Sequence, residues 1–307
     1  MRRQRFREPM TNTLTGVREK RRLLQHIADQ VNDSTLSTIQ QTIPEILRIT
    51  SDPDTTAKDL KELLEKDPVL ASAVLKRANS AYYARSRSIS DIEQAVIWLG
   101  FDSLKELALN QKVSEMFRQN LPFAGYSRVG LWKHSMAVAI CANLIYRREF
   151  GERGENAYAA GLLHNIGVII LDQCLHADFK EIFKQSESQQ CNLHESEVEI
   201  LGVNHAEVGK FFAHSWNFPA ELIQSIGAHH NPENVRAKGA RLAKTIYIAD
   251  FICQKMGFGF TDMPYEGYTL FSKLLSELAI QEERLDIIIT DVETRIYRMV
   301  AEGWFKQ

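Results

Sequence analysis

The stretch 160-AGLLHNIGVIILDQ-173 decides how the rest of the chain is read. It is apolar around nearly the whole helical circumference, the pattern of a helix enclosed by protein rather than laid on a surface. Within it His164 and Asn165 stand side by side. A buried polar group without a partner costs on the order of 1–3 kcal/mol, so this pair predicts matching groups on other segments.

Working outward, helical signals dominate and strand-like alternation is nearly absent. Thr56-Ala57-Lys58-Asp59 reads as an N-cap with an acid in the first turn. Ser90-Asp91-Ile92-Glu93 reads as a capping box for a helix ending near Leu99-Gly100. Asp102-Ser103 opens a segment with Leu104, Leu107, Ala108 and Val113 along one face. Further helices are predicted over 132–148, 157–171, 192–214, 219–230, 238–256, 267–279 and 284–301. The fold class is therefore all-α. Polar, Pro and Gly residues interrupt the periodicity near 119–128 and 256–267. They divide the chain into a basic N-terminal arm (1–33), helical modules over 34–122 and 123–257, and a C-terminal helical extension (258–307).

Net charge is −2, so no global field points to nucleic acid or membrane. Residues 1–22 nevertheless hold eight Lys/Arg against Glu8 and Glu19, leaving 29 basic against 37 acidic residues in the remainder. That arm reads as a solvated end, with contact to an acidic partner or nucleic acid as a weaker alternative. Cys141, Cys174, Cys191 and Cys253 lie far apart, which fits reduced thiols rather than a disulfide or zinc framework. No apolar run approaches the roughly 20 residues of a membrane span. The start, MRRQRFREPM, lacks the apolar segment of a secretory signal, so the expected compartment is the cytoplasm.

Helical spacing sorts the nine histidines by face. His134 aligns with Val138, Cys141 and Ile145; His164 with Ala157, Ala160, Gly161 and Val168. His205 shares a face with Leu201, Val208, Gly209 and Phe212, and His229-His230 end a helix whose inner side is Leu222, Ile223 and Ile226. Asp250 sits with Ile246, Tyr247 and Cys253. His26, His176, His194 and His214 read as surface positions, and Glu197 falls among polar neighbours of His194. Five inward histidines and one inward acid point to a shared polar pocket. Neutral imidazole and carboxylate suit divalent Zn, Mn, Fe and Ni. A pair of metals would call for a bridging carboxylate, and beside His164 that place is held by Asn165. One ion or a weakly held pair, or a metal-free network with Asp250 paired to a protonated histidine, are the arrangements these residues allow.

The order H…HN…H…HH…D resembles the HD superfamily of metal-dependent phosphohydrolases, named for a His-Asp doublet. His134 in 132-WKHSMAVA-139 resembles the first ligand, and His164-Asn165 falls on the doublet. His205 in 203-VNHAEVG-209, the pair His229-His230, and Asp250 in 247-YIADF-251 fall on the later positions. The run 65–109 and the segment 197–232 are similar to HDOD domains, the HD-related output domains of bacterial signalling proteins, and the resemblance spans about 34–255.

It implies an HD-like helical bundle behind an N-terminal helical HDOD subdomain, and a regulatory or scaffolding role without catalytic residues. The related HD-GYP phosphodiesterases hydrolyse cyclic di-GMP, but two of their features are missing here. The chain reads NPENV after His229-His230, with no Gly-Tyr-Pro, and Val168 replaces the lysine that follows their doublet. The expectation is a non-catalytic signalling protein acting by partner or ligand binding; the alternative is a divalent-metal phosphohydrolase on a nucleotide or cyclic dinucleotide. His134, His164, Asn165 (as a weak member), His205, His229, His230 and Asp250 are the candidate metal pocket, for one Fe, Mn, Zn or Ni ion at most. Expected partners are other signalling proteins, a second copy of the chain among them; neither membrane nor nucleic acid is favoured.

Overall fold

The structure, a computed structural model, describes residues 14–32, 34, 36–52, 54–79, 89, 91–117, 122–236, 239–260 and 267–305. These form sixteen α-helices: α1 (Leu14–Asn32), α2 (Leu36–Ser51), α3 (Ala57–Glu65), α4 (Pro68–Ala78), α5 (Ile92–Leu99), α6 (Phe101–Ser114), α7 (Arg128–Glu149), α8 (Glu155–Leu163), α9 (Ile166–Cys174), α10 (His176–Gln189), α11 (Leu193–Leu201), α12 (His205–Ser215), α13 (Ala220–Ala228), α14 (Ala240–Lys255), α15 (Tyr268–Glu277) and α16 (Glu282–Ala301). Among the described residues there is no β-strand, only an isolated bridge between Phe123 and Tyr126. The all-α expectation holds.

The axis of the bundle is α7, buried from Leu131 to Tyr146 apart from Lys133. A helix apolar on all sides must be enclosed, and α8, α14 and α16 pack around it. The helices α2 to α6 pack on one another and reach the centre through contacts of α6 and α2 with α8.

Local signals placed several boundaries correctly. Thr56 caps α3 in a reciprocal box with Asp59, whose carboxylate takes the Thr56 N–H at 2.8 Å. Ser90, the expected cap of the second box, lies outside the described residues, and α5 runs from Ile92 to Leu99. Two helices expected as continuous are broken instead. The 157–171 helix ends at His164 and restarts after Asn165, which sits at φ −94°, ψ 20°. The 192–214 helix stops at Gly202, in the left-handed region at φ 75°, and restarts at Asn204. Asn204 caps α12 in a box with Glu207, a pattern present in the sequence as NHAE. Helix α10 was not foreseen. Residues 14–32 of the arm form a helix whose second half packs on the core, while Val17, Arg18, Glu19, Arg21 and Arg22 are exposed. Ile27 and Val31 are fully buried, Leu23, Leu24 and Ala28 pack on the core, and Lys20 pairs with Glu207. The apolar face of α1 outweighs its four basic residues, and the helix lies on α9 and α12. Residues 1–13 of the arm lie outside the described residues.

One close approach brings the two broken helices together. A Cβ at Gly167 would fall 1.9 Å from the His205 carbonyl oxygen and 2.7 Å from its carbonyl carbon. Only glycine lets the start of α9 rest on the first turn of α12. We therefore expect Gly167→Ala to lower the unfolding free energy by about 1–3 kcal/mol or more through overpacking, read from the denaturation midpoint. An unchanged midpoint would contradict this packing.

Candidate metal centre

The breaks in the helices are what place the histidines. The last carbonyls of a helix lack partners inside it. His164, ending α8, gives its Nδ1 proton to the Gly161 carbonyl at 2.7 Å. His229, ending α13, does the same to Ile226 at 2.7 Å. His205 stands at the first turn of α12, where backbone N–H groups lack partners. Glu197 supplies them: one oxygen accepts both the His205 backbone N–H and its Nδ1–H, each at 2.7 Å. Assigning the Nδ1 proton in this way turns the Nε2 lone pair of all three imidazoles inward.

The described residues form two groups whose donor atoms lie within 4.8 Å of one another, His134–His164–Asp250 and His205–His229–His230. In the first, His134 Nε2 donates to Asp250 Oδ1 at 2.9 Å, and Gln254 donates to both Asp250 oxygens at 3.1 Å. His164 Nε2 lies 3.8 Å from the same Asp250 oxygen, is buried, and has no hydrogen-bond partner. In the second, His205 Nε2 is 3.2 Å from His229 Nε2 and 2.7 Å from His230 Nε2. The groups adjoin, with the His164 and His229 rings 5.2 Å apart.

Burial drives His164, His205 and His229 down to about 3, and His230 well below its ordinary value. Around pH 7 these imidazoles are neutral, the form that binds metals. Burial works against the charge of Asp250 as well. The His134 hydrogen bond and the nearby imidazoles outweigh that cost and hold its carboxyl below the usual carboxylate range.

The donor chemistry fits a divalent cation, best at the first group. A lone pair facing a carboxylate across 3.8 Å is repulsive unless a positive centre lies between them, and this group contributes the anionic ligand. In the second group, a proton on His230 Nε2 satisfies His205 but leaves the His229 lone pair facing that of His205 at 3.2 Å, so it is the anionic ligand that favours the first group. Asn165 is buried and its Oδ1 has no hydrogen-bond partner. It is a neutral oxygen donor at most.

All the histidines and the acid expected to face inward are gathered here. Two further residues were placed on the surface by their polar neighbours and are not there. Glu197 is fully buried, and burial pushes its carboxyl up to about 8 while the His205 N–H pulls it down. Asp250 is therefore not the only inward acid. His194 is half-buried and stacks on His230 with centroids 4.3 Å apart. His176 is partly buried and donates to the buried Asp172 at 2.8 Å, alongside Tyr126 and Arg128. His26 and His214 are exposed as expected.

With this geometry in view, the HDOD domain family matches residues 36–232. The chain belongs to the HDOD family. An HDOD domain protein of unknown function from Geobacter sulfurreducens is similar at 25% identity, TM-score 0.70, over 90% of this chain and 97% of its own. A protein from Marinobacter aquaeolei VT8 named for signal transduction superposes at TM-score 0.76 and 22% identity, over 96% of this chain and 67% of its own, a likeness of fold. An uncharacterized protein of Treponema pallidum (strain Nichols) is 25% identical over 265 residues, 86% of this HDOD chain and 49% of that protein. The chain spans about half the length of that curated relative. Among its described residues no single helix is long and apolar enough to cross a membrane; one pair bent by 117°, 156–174 with 176–189, passes by length and composition only.

If Glu197 holds His205 as described, Glu197→Ala strands two buried donors and costs about 1–3 kcal/mol of stability. Glu197→Gln, which keeps one acceptor, costs less. A loss in Glu197→Ala no larger than that of the exposed Glu187→Ala would contradict the role.

Proposed function

We propose that this HDOD protein is a regulatory module of bacterial signal transduction that acts by binding and not by hydrolysis. Its chamber holds one divalent transition metal on His134, His164 and Asp250. The observation that carries the reading is Asn165. A carboxylate beside His164 would add a negative charge shared by both groups of ligands. The carboxamide adds none and offers no base to orient or deprotonate a water. Two divalent ions against Asp250 and a partly protonated Glu197 would leave a large uncompensated charge in a buried site. A single ion would supply Lewis acidity and a charge against which an anionic group of a ligand can dock. His205, His229 and His230 then serve as hydrogen-bonding groups of the chamber. Its mouth, a cavity of about 270 Å³, is lined by His194, His230, Tyr247, Asp250, Phe251 and Gln254.

The family and a structural neighbour named for signal transduction support the regulatory role. The persistence of two three-residue ligand groups favours the second reading, a metal-dependent phosphohydrolase acting on a nucleotide or cyclic dinucleotide. Partners are proposed to be other signalling proteins, or a second copy of this chain.

The two readings part on turnover. Wild-type protein supplied with Mn²⁺ or Fe²⁺ is expected to leave cyclic di-GMP, cyclic mononucleotides and nucleotide monoesters intact. Asn165→Asp is expected to raise bound metal from one toward two ions per chain. Sustained hydrolysis by the wild type, removed by His164→Ala, would overturn the non-hydrolytic reading.

A further inference from the structure

Away from the histidines, a second cavity of about 300 Å³ opens where α4 and α6, α7 and α8, and the end of α16 meet. Its floor is polar and buried. Asn110 and Tyr158 hydrogen-bond to each other, with the Asn110 amide donating at 2.7 Å and the Tyr158 hydroxyl donating back at 2.9 Å. The Asn110 amide keeps a second N–H and its carbonyl a second lone pair. Met136 and Ile140 form an apolar wall beside this pair.

The rim is charged, with three guanidinium groups against two carboxylates. Arg77 on α4 and Arg295 and Arg298 on α16 line it together with Glu106 and Glu302. Glu302 is committed: it accepts from Arg77 at 2.6 Å and from the Trp304 indole N–H at 3.1 Å, which holds the indole at the rim. Arg295, in contrast, makes no ion pair among the described residues. The site therefore carries a net positive charge, a flat aromatic side chain, an apolar wall and an amide on its floor. Its volume lies at the lower end of small-ligand pockets, roughly 300–1,000 Å³. Arginine forks are the preferred protein partners of phosphate oxygens.

We propose that this cavity is a binding site for a mononucleotide. The phosphate sits at Arg295 and Arg298, and the base lies along Trp304 and the Met136 wall with its edge toward Asn110. The volume suits one base with its sugar phosphate and is too small for a dinucleotide. Because the rim belongs to α16 and the floor to α6 and α8, an occupied site ties the C-terminal helix to the N-terminal helices. It would then report nucleotide level through the fold, separately from the histidine chamber.

The test is calorimetric titration of the full chain with AMP, GMP and their 3′,5′-cyclic forms, with inorganic phosphate and adenosine as partial ligands. At least one mononucleotide is expected to bind saturably and to change tryptophan fluorescence, a change lost in Trp304→Phe. Arg295→Glu, at an exposed position, should weaken that binding at least tenfold without moving the melting temperature, and adding Arg298→Glu should weaken it further; Arg295→Gln alone should weaken it less. No saturable binding at millimolar concentration, or equal affinity for phosphate alone, would overturn the proposal. So would binding that survives the double charge reversal and disappears in Asp250→Asn, which would put the nucleotide in the histidine chamber.

Discussion

Three buried imidazoles that give their Nδ1 protons to Gly161, Glu197 and Ile226 have only lone pairs left to turn inward. For His164 that lone pair meets a carboxylate oxygen of Asp250 at 3.8 Å, with the His134 proton already spent on the same oxygen. A low-dielectric interior makes such an arrangement costly unless a cation completes it. The rest of the bundle can be read as the framework that enforces it. Helix ends at 164 and 229 place two histidines as caps of their own helices, and a buried glutamate orients the third.

Backbone contact and side-chain chemistry work together here. The Gly167–His205 approach lets α9 and α12 touch, so His164 and His205, far apart in sequence, share one chamber. Val138 and Cys141, buried on the same face of α7 as His134, close it from water on one side. Asn165 then separates holding a metal from using it. The chamber keeps its imidazoles and its distal acid, while the position beside His164 carries no charge.

Much of this was legible in the sequence, because helical periodicity assigns a face to each residue independently of its partners. Every inward histidine and Asp250 could be found that way, and the Thr56 cap from the acid three residues after it. The misses share one cause. Glu197 and His194 look like members of a polar face, and only the break at Gly202–Asn204 turns α11 back so that they meet His205 and His230. Continuous helices were expected over both breaks because the apolar periodicity runs through them unbroken. In α1, four basic residues obscured an apolar face that becomes visible only once α9 and α12 supply the surface it covers.

The most direct measurement is the metal content of the wild-type chain, purified without a histidine tag and analysed by inductively coupled plasma mass spectrometry. One divalent transition metal per chain is expected, reduced to a small fraction in His164→Ala and in Asp250→Asn. Metal-free protein that takes up none of Fe²⁺, Mn²⁺, Zn²⁺ or Ni²⁺ would contradict the metal-holding chamber.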